Sequence, residues 1–136
     1  MRKLNVIIVF DNEEDKILTC KRTKEPYKGK LNLVGGKVEK GEDELHAAYR
    51  ELEETGISKN DIILTSLMNF EYKLQDMELE VYVGKLNKEV KLVEEINKLF
   101  WIDKNDNFFD VEKYAGEGNI GHMLKHVEIY KDEVLK

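Results

Sequence analysis

The apolar and polar positions of this chain fall into short runs with two rhythms. Leu4 to Phe10, LNVIIVF, is rich in β-branched and apolar residues, the pattern of a strand buried on both faces. Asp11-Asn12-Glu13-Glu14 has turn chemistry, and Lys16 to Lys21 returns as a second strand, so the two are expected to form a hairpin. Asp61 to Leu74 reads as a long strand whose pattern changes near Met68 and Asn69. Gln75-Asp76 supplies a turn, and Met77 to Leu86 alternates as the partner strand. One more strand is expected around Trp101. The tail breaks at Gly116, Gly118 and Gly121, then runs as an amphipathic helix through Met123, Leu124, Val127 and Tyr130.

Between these runs lies the stretch that organises the rest, Leu33 to Ile57, LVGGKVEKGEDELHAAYRELEETGI. Gly35 and Gly36 end a short apolar strand, a charged loop follows, and a helix is expected from about Asp43 to Thr55, with Gly56 where a C-terminal glycine belongs. At about 100° per residue, Leu45, Ala48, Tyr49 and Leu52 fall on one side, which is expected to face a core. Glu51 and Glu54 share another stripe with Glu44, Ala47 and Thr55, while Glu53 and His46 lie near the far side.

Carboxylates at i and i+3 repel, and Arg50 is the only base between Glu42 and Ser58. This pattern points to a cation supplied from outside. Oxygen ligands suit a hard divalent ion, Mg²⁺ or Mn²⁺, shared with substrate phosphates, and the chemistry that follows is phosphoryl transfer. An acidic, solvated helix face is the other reading of the same residues.

The segment resembles the Nudix box, the signature of hydrolases that cut a diphosphate linked to a nucleoside or another group. Gly36, Glu42, Arg50, Glu51 and Leu52 fit that pattern in register. After Leu52 the chain has one residue fewer than the family before the final glycine. Counting from Gly36, Glu54 matches the first acid of the family's Glu-Glu pair and Thr55 replaces the second; counting back from Gly56, Glu53 and Glu54 match the pair. The first register is preferred because it keeps both acids on the stripe with Glu51, and it leaves the metal site one carboxylate short. Val34 also departs from the family, which commonly has Pro there.

The resemblance implies an α/β fold, an α/β/α sandwich with a mixed sheet between helices, as a single domain over residues 1–136. It implies Mg²⁺, with Mn²⁺ as the alternative, held by Gly36, Glu51 and Glu54 with an acid from outside the box, for which Glu95 or its neighbour Glu94 is placed. Glu51, Glu54 and Arg50 form the catalytic segment, and the family's matching Glu and Arg pair to hold loop against helix, here Glu42 and Arg50. The glycines Gly35 and Gly36 are expected to admit phosphates. The expected substrate is a nucleoside triphosphate such as an oxidised purine deoxynucleotide, cut to a monophosphate and pyrophosphate. ADP-ribose or a nucleotide sugar is the alternative substrate, and a binding module with little turnover the alternative function.

Composition narrows the setting. The 136 residues are 41% hydrophobic and 37% charged, with a net charge of −6, which suits a globular chain and disfavours duplex nucleic acid, whose binders cluster Lys and Arg. Cys20 stands alone, so a reducing cytoplasm is expected. No run is long enough for a membrane span, and a monomer or homodimer is expected.

Other residues carry two readings each. Arg22, Lys24, Lys28 and Lys30 precede the glycines in a loop; Arg22 has the planar fork for a phosphate, while loop lysines also serve solubility. Asn119 offers a base edge both a donor and an acceptor, or caps the last helix. Phe70, Tyr72, Val81 and Tyr82 line a base pocket or pack in the core. Glu39 and Glu117 are further candidate acids. His122 and His126 have i, i+4 spacing, but no cysteine or third histidine lies near them.

Overall fold

The computed structural model describes residues 1–94 and 96–135. Six strands form one mixed sheet: β1 (Arg2–Phe10), β2 (Lys16–Lys21), β3 (Leu31–Lys37), β4 (Thr65–Tyr72), β5 (Met77–Lys85) and β6 (Leu99–Asp103). Their order across the sheet is β4-β5-β1-β3-β2-β6, and only β1 and β5 run parallel. Helix α1 (Glu44–Glu53) covers one face; α2 (Asn119–Ile129) and α3 (Lys131–Val134) cover the other. This is the expected α/β/α sandwich.

Strand β1 is apolar throughout its second half because it has a core on each side. Ile7 and Val9 point to α1, whereas Ile8 and Phe10 point to α2 and α3. The expected hairpin of β1 and β2 forms only at its mouth, where Phe10 pairs with Ile17. Beyond that pair the strands splay, and β3 enters between them to pair with both. That insertion carries Gly35 and Gly36 into the centre of the sheet, beside Val6 and Asn5.

Three further expectations are corrected. The strand expected from Asp61 begins at Thr65, because Asp61 instead closes a turn by accepting the Ser58 N–H and Ile62 makes only an isolated bridge to Leu86. The change of pattern at Met68 is a bulge between Ser66 and Met68, which moves the apolar side chains to the other face. On α1, Leu45 is 39% exposed while Ala47 and Ala48 are fully buried, so the small alanines, not the leucine, meet the sheet.

Asp43 starts α1 by accepting the His46 N–H. At the other end the chain leaves the helix through Gly56, at φ +90°, and Ile57 donates back to the Leu52 carbonyl. Leu52 and Ile57 are both fully buried, which fixes the last turn of the helix against the sheet. A connection running through Val90, Leu92 and Val93 then folds over this end, and the Val93 N–H donates to the Thr55 carbonyl. Gly56 lies so near Lys91 that a methyl there would sit 3.0 Å from its carbonyl oxygen.

The loop before α1 is held by charge. Arg50 grips Glu42 with Nε at 2.8 Å and an Nη at 3.0 Å, and the same Nη donates to the Lys37 carbonyl at 2.9 Å. The Arg50 guanidinium, helped by the Glu39 N–H, holds the Glu42 carboxyl down at about 2.

Gly56→Ala should cost about 1–2 kcal/mol in urea unfolding, the penalty of a left-handed backbone for a residue with a Cβ; an unchanged midpoint would contradict the assigned helix end. Because the Glu42 carboxyl lies below its usual value in the folded chain, its contribution is complete above pH 4.5 and lost as pH falls toward 2. The stability gap between wild type and Glu42→Gln should therefore be largest near neutrality and narrow with acidification. A gap independent of pH would deny the ion pair.

Candidate functional site

The end of α1, the glycine bend and the covering connection border a small open cleft of about 50 Å³ on the α1 face of the sheet. Glu51, Glu54 and Thr55 line it from the helix, Val34 and Gly35 from β3, Cys20 from β2 and Leu99 from β6. Val93, Ile96 and Asn97 close the remaining side. The helix delivers Glu51 and Glu54 here together because they lie one turn apart on the stripe that meets the edge of the sheet. Glu53 points to solvent. This is the arrangement obtained by counting the box from Gly36.

Gly36 and the Glu51 carboxyl group are in close contact. A methyl on Gly36 would overlap the Glu51 carboxyl group, and a methyl on Gly35 would overlap the backbone of Asn5. The glycines thus serve close approach, and the Glu51 carboxylate occupies the space that any other side chain at position 36 would fill. Its oxygen Oε1 accepts from an Arg50 Nη at 3.2 Å. Burial, reinforced by the neighbouring Glu54 charge, raises the Glu51 carboxyl above its usual value despite Arg50. The pair therefore carries an unsatisfied electrostatic demand for positive charge.

Thr55, standing where the family has a second acid, is 6% exposed and directs its hydroxyl to the Leu52 carbonyl at 2.7 Å. It supplies no carboxylate. Glu94 is exposed and accepts the Leu99 N–H at 2.8 Å, closing the turn before β6. Glu95 lies outside the described residues. Among the described residues no three of His, Cys, Asp and Glu converge on one point. Two carboxylates beside a glycine backbone are still the kind of oxygen set that Mg²⁺ accepts, since it retains waters and takes further ligands from phosphate.

Arg22 follows Cys20 by two residues, and its backbone N–H continues the pairing of that strand with Lys30. Its Nε donates to the Pro26 carbonyl at 2.7 Å, fixing the guanidinium within the basic loop. Arg22 is not among the residues that line the cleft. Asn119 is also absent from it: the residue is exposed in the first turn of α2, on the opposite layer, and the N-cap position belongs to Gly118. The four aromatic and aliphatic residues expected at a base pocket are likewise divided. Val81 and Tyr82 are successive strand residues in opposite cores, and Phe70 packs against Tyr72 at 6.4 Å on β4. Glu39 and Glu117 are exposed, and His122 packs edge-on against Phe109.

Asn5 is the residue that sequence reasoning passed over. It is 2% exposed on β1, and its Oδ1 accepts the Gly36 N–H at 2.9 Å. The signal was present as the single polar side chain in LNVIIVF. The connection over the end of α1 was missed as well, although Val90 and Leu92 alternate with charged residues there.

Several solved structures share this architecture. A Caenorhabditis elegans Ap4A hydrolase matches with a TM-score of 0.69 and 20% identity, covering 97% of this chain and 98% of that one. A MutT structure described for Aliivibrio salmonicida and Vibrio cholerae gives 0.71 and 19%, over 93% and 96%. The Escherichia coli dihydroneopterin triphosphate pyrophosphohydrolase gives 0.70 and 18%, over 93% and 95%. The family model of the NUDIX domain matches residues 1–124, which include every element from β1 to the first half of α2. With the glycine bend, the Glu42–Arg50 fork and the helix that carries Glu51 all inside that match, the chain belongs to the NUDIX family of hydrolases, which act on nucleoside diphosphate-linked compounds.

Proposed function

We propose that this chain is a metal-dependent hydrolase of a nucleoside triphosphate, releasing a monophosphate and pyrophosphate, and that its residues 1–136 work as one domain. The observation that carries the reading is the convergence of Glu51 and Glu54 on a cleft whose opposite wall is the side-chain-free Gly35. Likeness to MutT and to a triphosphate pyrophosphohydrolase over most of this chain supports a triphosphate as the substrate.

Glu51 and Glu54 would hold Mg²⁺ or Mn²⁺ with a backbone carbonyl of the Gly35–Gly36 bend. When bound, such an ion neutralises phosphate oxygens and makes water more acidic. The chain's own groups do the remainder. Gly35 lets the bend pack directly on the Asn5 backbone, and Arg50 holds one Glu51 oxygen through an Nη. Arg22 lies in the basic loop with its Nε bound to the Pro26 carbonyl, and its two Nη groups would be the ones to meet a phosphate that extends from the cleft to that loop. A carboxylate of the pair takes the proton of the water that attacks phosphorus; the new P–O bond forms as the bridging P–O bond breaks, and pyrophosphate leaves.

A second reading has its own observation. Thr55 in place of an acid weakens the metal site, and a nucleotide-binding module with little turnover follows if the remaining pair is insufficient.

Wild type, Glu51→Gln and Glu54→Gln should be assayed with Mg²⁺ against canonical and oxidised purine triphosphates, ADP-ribose and Ap4A. The wild type should release pyrophosphate from a triphosphate, and each Gln variant should lose about a hundredfold or more in kcat. Nucleotide binding with no product from any of the proteins would instead establish the module. Thr55→Glu should tighten Mn²⁺ binding, read by electron paramagnetic resonance, because the new carboxylate joins the cleft beside Glu54. No gain in affinity would mean that position 55 does not stand at the missing ligand.

A further inference from the structure

We propose that Asn5 is the positioning residue of this site, holding the Gly35–Gly36 bend in the place where it meets the Glu51 carboxylate. The inference deepens the metal-dependent reading of the cleft and rests on it. Asn5 does not line the cleft; it acts from the strand behind.

Asn5 belongs to the row of β1 side chains that points toward α1, and the next two members of that row, Ile7 and Val9, are apolar and fully buried. A polar residue at the same depth is an exception. Its Oδ1 accepts the Gly36 N–H at 2.9 Å, whereas its Nδ2 is buried without a partner among the described residues. An orphan donor opposes folding, and an apolar side chain would avoid it. What the amide supplies in return is one specific bond, to the glycine on which Glu51 rests.

The contacts form a continuous path. Backbone pairing sets Asn5 opposite Gly36, and its carbonyl lies where a Gly35 side chain would otherwise stand. The amide oxygen fixes the Gly36 N–H, and the bare Cα of Gly36 abuts the Glu51 carboxyl group. Each glycine is therefore located by an Asn5 atom, one by the main chain and one by the side chain. Without the amide, the Gly36 N–H loses its partner and the Gly35–Gly36 peptide is held by the strand pairing alone, which loosens the backbone carbonyl that would join Glu51 and Glu54 at a metal.

Mn²⁺ affinity of the nucleotide-free protein, read by electron paramagnetic resonance, tests this, with thermal unfolding recorded on every variant. Asn5→Ala and Asn5→Leu should each weaken binding by about tenfold, the effect seen when a group that orients a metal ligand is removed. Asn5→Asp keeps an acceptor of the same shape and should stay within about threefold of wild type. Wild-type affinity in Asn5→Ala and Asn5→Leu, or an Asn5→Asp as weak as Asn5→Ala, overturns the proposal. Should the substitutions prevent folding, a scalar coupling across the hydrogen bond, from the Gly36 amide nitrogen to the Asn5 side-chain carbonyl carbon in the wild type, decides it: its presence supports the hold and its absence overturns it. Glu51→Gln runs alongside. If that variant binds Mn²⁺ like wild type, the metal-site reading itself fails; if it alone is weak, only the role of Asn5 does.

Discussion

Glu51 and Glu54, at the end of α1, line one cleft with the glycine strand, and the burial of Glu51 there is what the rest of the fold has to support. Burial and the Glu54 charge raise the Glu51 carboxyl, so the helix end is held together against its own electrostatics. The restraints come from three directions. Arg50 ties Glu51 on one side and grips Glu42 on the other, so one guanidinium joins the helix to its preceding loop. Leu52 and Ile57 anchor the last turn in the core, and the Val93 N–H fastens the covering connection to Thr55. These restraints fix the end of the helix, and with it Glu51, beside the glycine bend.

The sheet explains why the glycines are where they are. β3 enters between two strands that separate after a single pair, and its central position means that both its neighbours press on it. Side chains are affordable there only on the faces. Gly35 lies against the Asn5 carbonyl and Gly36 against the Glu51 carboxylate, so each glycine answers a different neighbour. The same arrangement separates the two layers chemically. The face under α1 holds Glu51, Glu54, Cys20 and the cleft, while the face under α2 and α3 packs Phe108, Tyr114 and Met123.

Much of this was legible in the sequence because local signals agreed. The helix boundaries followed from Asp43 and Gly56, the strand from Met77 from alternation, and the stripe of Glu51 and Glu54 from rotation alone. What escaped depended on the partners of a residue and not on its own pattern. The hairpin of β1 and β2 was overestimated because nothing local announces that a third strand will enter it. Of the two readings open for Phe70, Tyr72, Val81 and Tyr82, the pleat favours packing, since it sends Val81 and Tyr82 to opposite cores. Asn119 was drawn to the site by its chemistry, yet the sheet lies between α2 and the acids. Asn5 was overlooked for the converse reason: its value lies in a contact with a residue 31 positions away.

The shortened box has a physical consequence independent of any substrate. Position 55 is turned inward, and the threonine there caps the Leu52 carbonyl with its hydroxyl. The central claim, that Glu51 and Glu54 remain a cation site despite this loss, is most directly tested by anomalous scattering from a crystal grown with Mn²⁺ and a non-hydrolysable nucleotide. The account predicts a peak shared by the two glutamates and the Gly35–Gly36 backbone, with a phosphate beside it. A map with phosphate bound elsewhere and no peak between those carboxylates would contradict it.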